Sequence, residues 1–280
     1  MGFIYAGFAD EAGKTIEEQI EVTKRLGWDA IEVRGLEGVN FTEITDEQFD
    51  RAYEKMQEAG VKIAGFGSRI ANWATPITTD FQEDVKELTT AIPRMHKSGA
   101  KIIRCMSYPN DGLSVDEWKA EVFRRLKELA KIAEDGGVIL GHENCNGYGG
   151  EGPKEAVELI EAVDSPAFKW IFDTGNTVQH GQDSWEFYQA VKEHTVHVHI
   201  KDMTRAPGEE KAKACYPGEG AGKVRQVVAD LKASGYDGYL SIEPHIAAVA
   251  HEKKDVDDAA SAADIYVEYG RRLMAIVDES

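Results

Sequence analysis

At 280 residues, with 42% hydrophobic and 29% charged residues, the chain has the composition of a soluble globular protein with a sizeable core, and disorder of the whole chain is not favoured. Fifty acidic residues against 32 basic ones leave a formal charge of −18, which repels phosphate backbones and makes nucleic acid an unexpected partner unless a local basic groove exists. No stretch approaches the roughly 18 apolar residues that span a bilayer, so a membrane is not an expected partner either.

The N-terminal residues MGFIYAGFADEAGK carry no basic stretch and are broken by Asp10 and Glu11, so they read as a first strand rather than a signal peptide. Seven further apolar, β-branched runs follow, at 30–34, 61–66, 101–106, 138–143, 169–173, 195–201 and 238–243. The segments between them show helical spacing, as in Ile16, Ile20, Val22 and Leu26, or Val122, Leu126, Leu129 and Ile132. Thr15, Thr45 and Ser114 each precede an acidic or amide-rich first turn and predict helix N-caps. The joints LGWDAIEV (26–33), AGVKIAGF (59–66), SGAKIIRC (98–105) and, more loosely, SGYDGYLSI (234–242) place a glycine just past each helix and a buried strand at once after it. Eight such units without a long linker predict a single (β/α)8 barrel over 1–280. An open doubly wound sheet is the alternative, although no G-x-G-x-x-G or Walker pattern follows the first strand. Cys105, Cys145 and Cys215 are odd in number and lack C-x-x-C spacing, which suggests reduced thiols and a cytoplasmic protein.

In a barrel of this kind the strand interiors pack and the C-terminal strand ends carry the chemistry. Ionisable residues gather there: Asp10 or Glu11, Arg34, Arg69, Arg104, His142-Glu143, Asp173, His199 to Asp202, and Glu243 to His245. A lone charge buried in a strand costs several kcal/mol or more, so these groups need partners or a ligand. The last four strands each end in one good ligand for a hard metal, Glu143, Asp173, His199 and Glu243. The competing reading is a salt-bridge network of the same residues with Arg34, Arg104, Lys201 and Arg205.

The phrases HEN (142–144), FDTGN (172–176), HVHIKD (197–202) and SIEPH (241–245) resemble, in the same order and over nearly the whole chain, the sugar phosphate isomerase/epimerase superfamily with its xylose-isomerase-like barrel. That group includes ketose 3-epimerases, inosose dehydratases and, more distantly, apurinic endonucleases of the endonuclease IV type. The resemblance implies one divalent metal held by Glu143, Asp173, His199 and Glu243, with Mn2+ the first expectation and Mg2+, Co2+ or Zn2+ also suited. It implies Glu143 and Glu243 as the catalytic pair that removes and returns a proton beside a carbonyl of a small sugar, and it selects His199 over His197 as the residue preceding I-K-D. It also implies a homo-oligomer. The expected activity is isomerisation or epimerisation, with an inosose-type dehydratase and a non-catalytic sugar-binding protein as alternatives.

Two departures stand out. Asn176 occupies a position where many ketose epimerases and the nucleases carry histidine, and Arg34, Arg69 and Arg104 replace the histidines a nuclease cluster needs. Substrate contacts are expected from Arg205 (with Pro207-Gly208), Lys201, His245, Glu11, Arg34 and Trp73, each with a salt-bridge or core-packing role as the competing reading. The glycine-rich YPGEGAGKV (216–224) opens a helix and offers weak evidence for a phosphate site, or a loop-closing role.

Overall fold

The computed structural model describes residues 2–206, 208–209, 211–246 and 258–280, the last stretch with side chains from 262 onward. Pro207 of the expected basic loop lies outside these residues. Eight parallel strands line up with the eight apolar runs: β1 (Ile4–Gly7), β2 (Ala30–Val33), β3 (Lys62–Phe66), β4 (Ile102–Ser107), β5 (Ile139–Gly147), β6 (Phe168–Asp173), β7 (Thr195–Ile200) and β8 (Tyr239–Ile242). Their order around the sheet is β1-β8-β7-β6-β5-β4-β3-β2, and β1 lies against β2, so the series curls into a nearly closed barrel. An open doubly wound sheet would not place the first strand beside the last.

Helices α1 (Ile16–Arg25), α2 (Asp46–Glu58), α3 (Phe81–Ser98), α4 (Val115–Asp135), α5 (Pro153–Val163), the short α6 (Asn176–Gln179), α7 (Ser184–Val191), α8 (Val224–Ala233) and α9 (Asp258–Glu279) fill the connections. The three expected caps hold. Thr15, Thr45 and Ser114 each accept from the backbone of the third helical residue, and Glu18, Gln48 and Glu117 reach back to complete capping boxes. Gly99, the C-cap of α3, takes the left-handed conformation (φ 79°) that turns the chain into β4 without a Cβ penalty.

Two small hairpins were not legible in the sequence, Gly35–Leu36 with Val39–Asn40 after β2 and Asp202–Thr204 with Lys213–Cys215 after β7. β5 also runs four residues beyond its expected end at Glu143.

Strand alternation decides what fills the barrel. Near the bottom Ala6, Ala30 and Ala64 pack against Tyr239. One step up, Glu32 of β2 meets His197 of β7 and Ser241 of β8. The next step brings Arg34, Glu143, Asp173, His199 and Glu243 to the C-terminal mouth. The apolar faces of helices and strands form one large core outside this polar column, with Trp170, Phe172, Phe187 and Tyr188 fully buried in it.

Candidate metal centre and its cavity

β5, β6, β7 and β8 deliver Glu143, Asp173, His199 and Glu243 to one point, where each offers a ligand atom and all these atoms lie within 4.8 Å of one another. All four side chains are buried. His199 sets the pattern: its Nδ1 is 3.0 Å from Glu143 Oε1 and 4.0 Å from Glu243 Oε2, while its Nε2 faces away, 3.1 Å from both oxygens of Glu32. Asp173 is fixed by the turn that follows it, because its Oδ1 accepts the backbone N–H groups of Gly175 (2.8 Å) and Asn176 (2.6 Å) at the start of α6. Asn144 extends the β5–β6 ladder with its side chain, accepting from the Asp173 N–H and donating to the Asp173 carbonyl, both at 2.8 Å.

Cations crowd the same carboxylates. Arg34 reaches Asp10 (2.9 Å), Glu11 (3.2 Å) and Glu243 (3.0 Å); Arg104 lies 3.1 Å from Glu143; and Lys201 lies 3.1 Å from Glu243 and 3.5 Å from Asp173. The expected salt-bridge network therefore forms on the ligand cluster itself through Arg34, Arg104 and Lys201, but Arg205 takes no part in it. Lys201 joins Asp173 and Glu243 rather than Glu143, and also donates to Asn176 Oδ1 at 3.0 Å.

Burial would raise every carboxyl here, and the neighbours decide the outcome. Glu143 is lowered because Arg104 and His199 outweigh its burial, and Glu243 falls well below the usual range because Lys201 and His245 outweigh its own. Burial pushes Asp173 up to about 7, with Lys201 only partly offsetting it and the Glu243 and Glu143 charges adding to it. Burial opposes charge on His199, yet Glu32 and Glu143 hold its pKa well above the ordinary histidine value.

The donor set fits a divalent ion. Three carboxylates and one imidazole nitrogen, with a bound ion taking the place of the protons on Asp173 and His199, suit a hard or borderline metal. Glu143 Oε2 is buried and, although Arg104 is close, makes no hydrogen bond. A carboxylate oxygen left in that state is costly without a cation at the right angle.

Above the cluster opens a cavity of about 560 Å3 whose wall includes Arg34, Lys201, Glu143, Glu243, His245 and Trp73. That volume suits a small ligand. Trp73 stands at the mouth, 63% exposed. His245, held by Glu11 (2.9 Å) and Glu243 (3.2 Å), rises to about 9, since the two carboxylates outweigh the opposing effects of burial and the Lys201 charge. Glu11 stands behind it and accepts the His245 backbone N–H at 2.7 Å. Among the described residues the cavity wall includes neither Glu11 nor Arg205; Arg205 donates to the Glu209 carbonyl at 3.1 Å instead. His142 is a buried core histidine whose ring lies tilted by 35° at 4.4 Å from that of Trp170 and whose pKa burial lowers to about 3.

The glycine-rich loop is already filled. Asp202 Oδ2 accepts the N–H groups of Gly218 (2.8 Å) and Gly220 (2.9 Å), and its Oδ1 accepts that of Gly222 (2.9 Å). These amides hold the protein's own carboxylate, which corrects the phosphate expectation for 216–224. Glu32 and Asn144 were missed. Asn144 sits in the quoted HEN phrase without a role assigned to it. The signal for Glu32 was present in AIEVR, where a carboxylate interrupts an apolar strand with the same alternation as Arg34.

A barrel of eight parallel strands with this cluster at its C-terminal mouth defines a class, and residues 20–265 match it by sequence: the chain belongs to the xylose isomerase-like TIM barrel family. An uncharacterized protein of Methanocaldococcus jannaschii is 32% identical over 152 residues, covering 52% of this chain and 47% of the relative. An inosose dehydratase of Clostridium perfringens is 26% identical over 144 residues, covering 47% and 48%. The chain thus spans about half the length of these curated relatives. Among solved structures, the IolI protein with a bound zinc atom superposes with a TM-score of 0.76 at 18% identity, covering 99% of both chains, a likeness of fold.

Proposed function

We propose that this protein is a divalent-metal-dependent isomerase or epimerase that acts on a monosaccharide or keto-sugar by abstracting a proton next to a carbonyl. The observation that carries the reading is the convergence of three buried carboxylates and one imidazole, two of which, Glu143 and Glu243, line a sugar-sized cavity. Glu143, Asp173, His199 and Glu243 would hold the ion, Mn2+ first among Mn2+, Mg2+, Co2+ and Zn2+, which when bound polarises a substrate carbonyl and acidifies the adjacent C–H.

The chain supplies the rest. Glu143 and Glu243 both line the cavity and both stay ionised, so one can take the substrate proton and the other return it. Lys201 and Arg34 keep Glu243 anionic and face substrate oxygens, and His245 adds a donor beside it. Trp73 offers an aromatic face to the sugar at the mouth. Glu11 acts through Arg34 and His245, and Arg205 would reach substrate only by leaving Glu209.

A second reading is favoured by His245. A histidine protonated near neutrality, 3.2 Å from Glu243, can give its proton to a departing hydroxyl. The same first proton abstraction then ends in loss of water, as the names of the inosose dehydratase relatives suggest.

The test is to load the protein with each metal, incubate it with ketoses and inososes in D2O, and follow mass. Epimerisation or isomerisation exchanges the abstracted hydrogen without other change of mass, dehydration loses water, and a sugar-binding protein returns its ligand unaltered. Glu143→Gln and Glu243→Gln should each lower turnover by a factor of about 100 or more, with unchanged circular dichroism. Full activity in both variants would end the proposal. The implied homo-oligomer is checked by sedimentation of the same samples.

A further inference from the structure

We infer that Glu32, one layer below the mouth, is a positioning residue that fixes the tautomer of His199 and aims its Nδ1 at the metal; the inference rests on the metal reading above. Glu32 is 2% exposed, and four contacts converge on its two oxygens. His197 Nε2 lies 2.8 Å from Oε2, Ser241 Oγ donates to Oε2 at 2.5 Å, and His199 Nε2 lies 3.1 Å from each oxygen.

An ionised carboxylate only accepts, so the ring nitrogens that face it carry the hydrogens. The Nε2 hydrogen of His199 is therefore fixed by Glu32, while Nδ1, which also faces a carboxylate, is the nitrogen whose hydrogen an ion bound between Glu143 and Glu243 would displace, leaving a neutral ring with its lone pair on Nδ1. His197 obeys the same constraint. Its Nε2 serves Glu32, and its Nδ1 is buried with no partner, as suits an acceptor nitrogen rather than a second N–H.

The backbone is irregular at both strands that build this contact. Pairing of β2 with β3 shifts between Ile31 and Glu32, and pairing of β6 with β7 shifts just before His197. Such bulges re-aim side chains within a sheet. The ring is also boxed in, with Phe8 edge-on at 5.1 Å and His197 perpendicular at 5.2 Å. Glu32 thus joins β2, β7 and β8 and leaves His199 one orientation. Metal-bound imidazoles commonly depend on such an outer carboxylate for orientation and basicity.

The experiment uses the full chain labelled with 15N-histidine and loaded with Zn2+, together with Mn2+ titration calorimetry of wild type, Glu32→Gln and His199→Ala. Glutamine keeps the volume but replaces one acceptor oxygen with a donor. Glu32→Gln should bind Mn2+ about 10- to 100-fold more weakly. The wild-type spectrum should show His199 protonated at Nε2 with metal on Nδ1, the resonance being assigned by its absence from His199→Ala. A proton on Nδ1 of His199 in the loaded wild type would overturn the inference even if Glu32→Gln failed to fold. So would wild-type affinity in Glu32→Gln while His199→Ala loses the ion. Undiminished binding in His199→Ala would instead remove the metal reading on which the inference stands.

Discussion

Asn144 shows how much one side chain can hold in place at the residue scale. Backbone pairing of β5 with β6 ends at Glu143 and Ile171, yet Asp173 two residues on still has its N–H and C=O satisfied, because the Asn144 amide serves both. Asn144→Ala would orphan a buried donor and a buried acceptor, each costing about 1–3 kcal/mol. We expect a fall in denaturation free energy of about 2–6 kcal/mol on that basis, and weaker metal stabilisation because the Asp173 backbone loses one of its anchors. Asn144→Asp, which keeps an acceptor for the N–H but loses the donor to the carbonyl, should fall between. Equal stability of wild type and Asn144→Ala in urea titrations would mean that the ladder extension contributes nothing. The HEN phrase signalled the position, but its neighbour Glu143 drew the chemical reading, since an asparagine carries no charge to flag its burial.

At the scale of elements, the segment from Asp202 to α8 is a clamp rather than a ligand loop. Asp202 is buried, and its carboxylate is shared among three glycine amides of the 218–222 turn. A Cβ on Gly220 would sit 2.3 Å from Asp202 Oδ1, so the close approach requires glycine there. Burial raises the Asp202 pKa, with the amide hydrogen bonds opposing that rise. Asp202→Ala should cost on the order of 3 kcal/mol, as hydrogen bonds to a charged group are lost together. It should also raise hydrogen exchange at Gly218, Gly220 and Gly222 selectively. Unchanged exchange at those amides would show that the turn is held by something else. The sequence revealed the glycines and the helix that follows them. It did not reveal that an aspartate some twenty residues earlier fills their amides, because that depends on how the chain returns to β7.

Across the whole molecule, charge balance in the barrel mouth couples stability to pH. His245 has a folded pKa near 9, above its ordinary value of 6.5, so its contribution is complete below about 6.5 and is lost as pH rises through about 9. The groups that set this are Glu11 and Glu243, with Lys201 opposing. The depressed Glu143 and Glu243 act in the other sense: their contribution is present above the ordinary carboxylate value of 4.5 and is lost as pH falls through their lower folded values. In metal-free protein the melting-temperature gap between wild type and His245→Asn should be constant below about pH 6.5 and close above about pH 9. A gap that persists to high pH would mean that His245 contributes by packing alone. No helix among the described residues is long and apolar enough to cross a membrane.

What the sequence determined alone was periodicity and position. The period-2 apolar runs, the capped amphipathic helices and the glycine stops specify eight βα units, since each depends on residues within one or two turns of each other. The strand-end residues Glu143, Asp173, His199 and Glu243 were legible for the same reason, as charges at the edge of apolar runs are conspicuous. What only the tertiary structure decided were the partners. Whether Lys201 meets Glu143 or Asp173, which nitrogen of His199 faces the cluster, and that Glu32 reaches across the barrel to two histidines and Ser241 all depend on strand stagger and bulges. These contacts join residues up to 209 positions apart, brought together when β1 closes against β8. Local spacing carries no information on that closure, and the barrel mouth acquires its electrostatics only once it has happened.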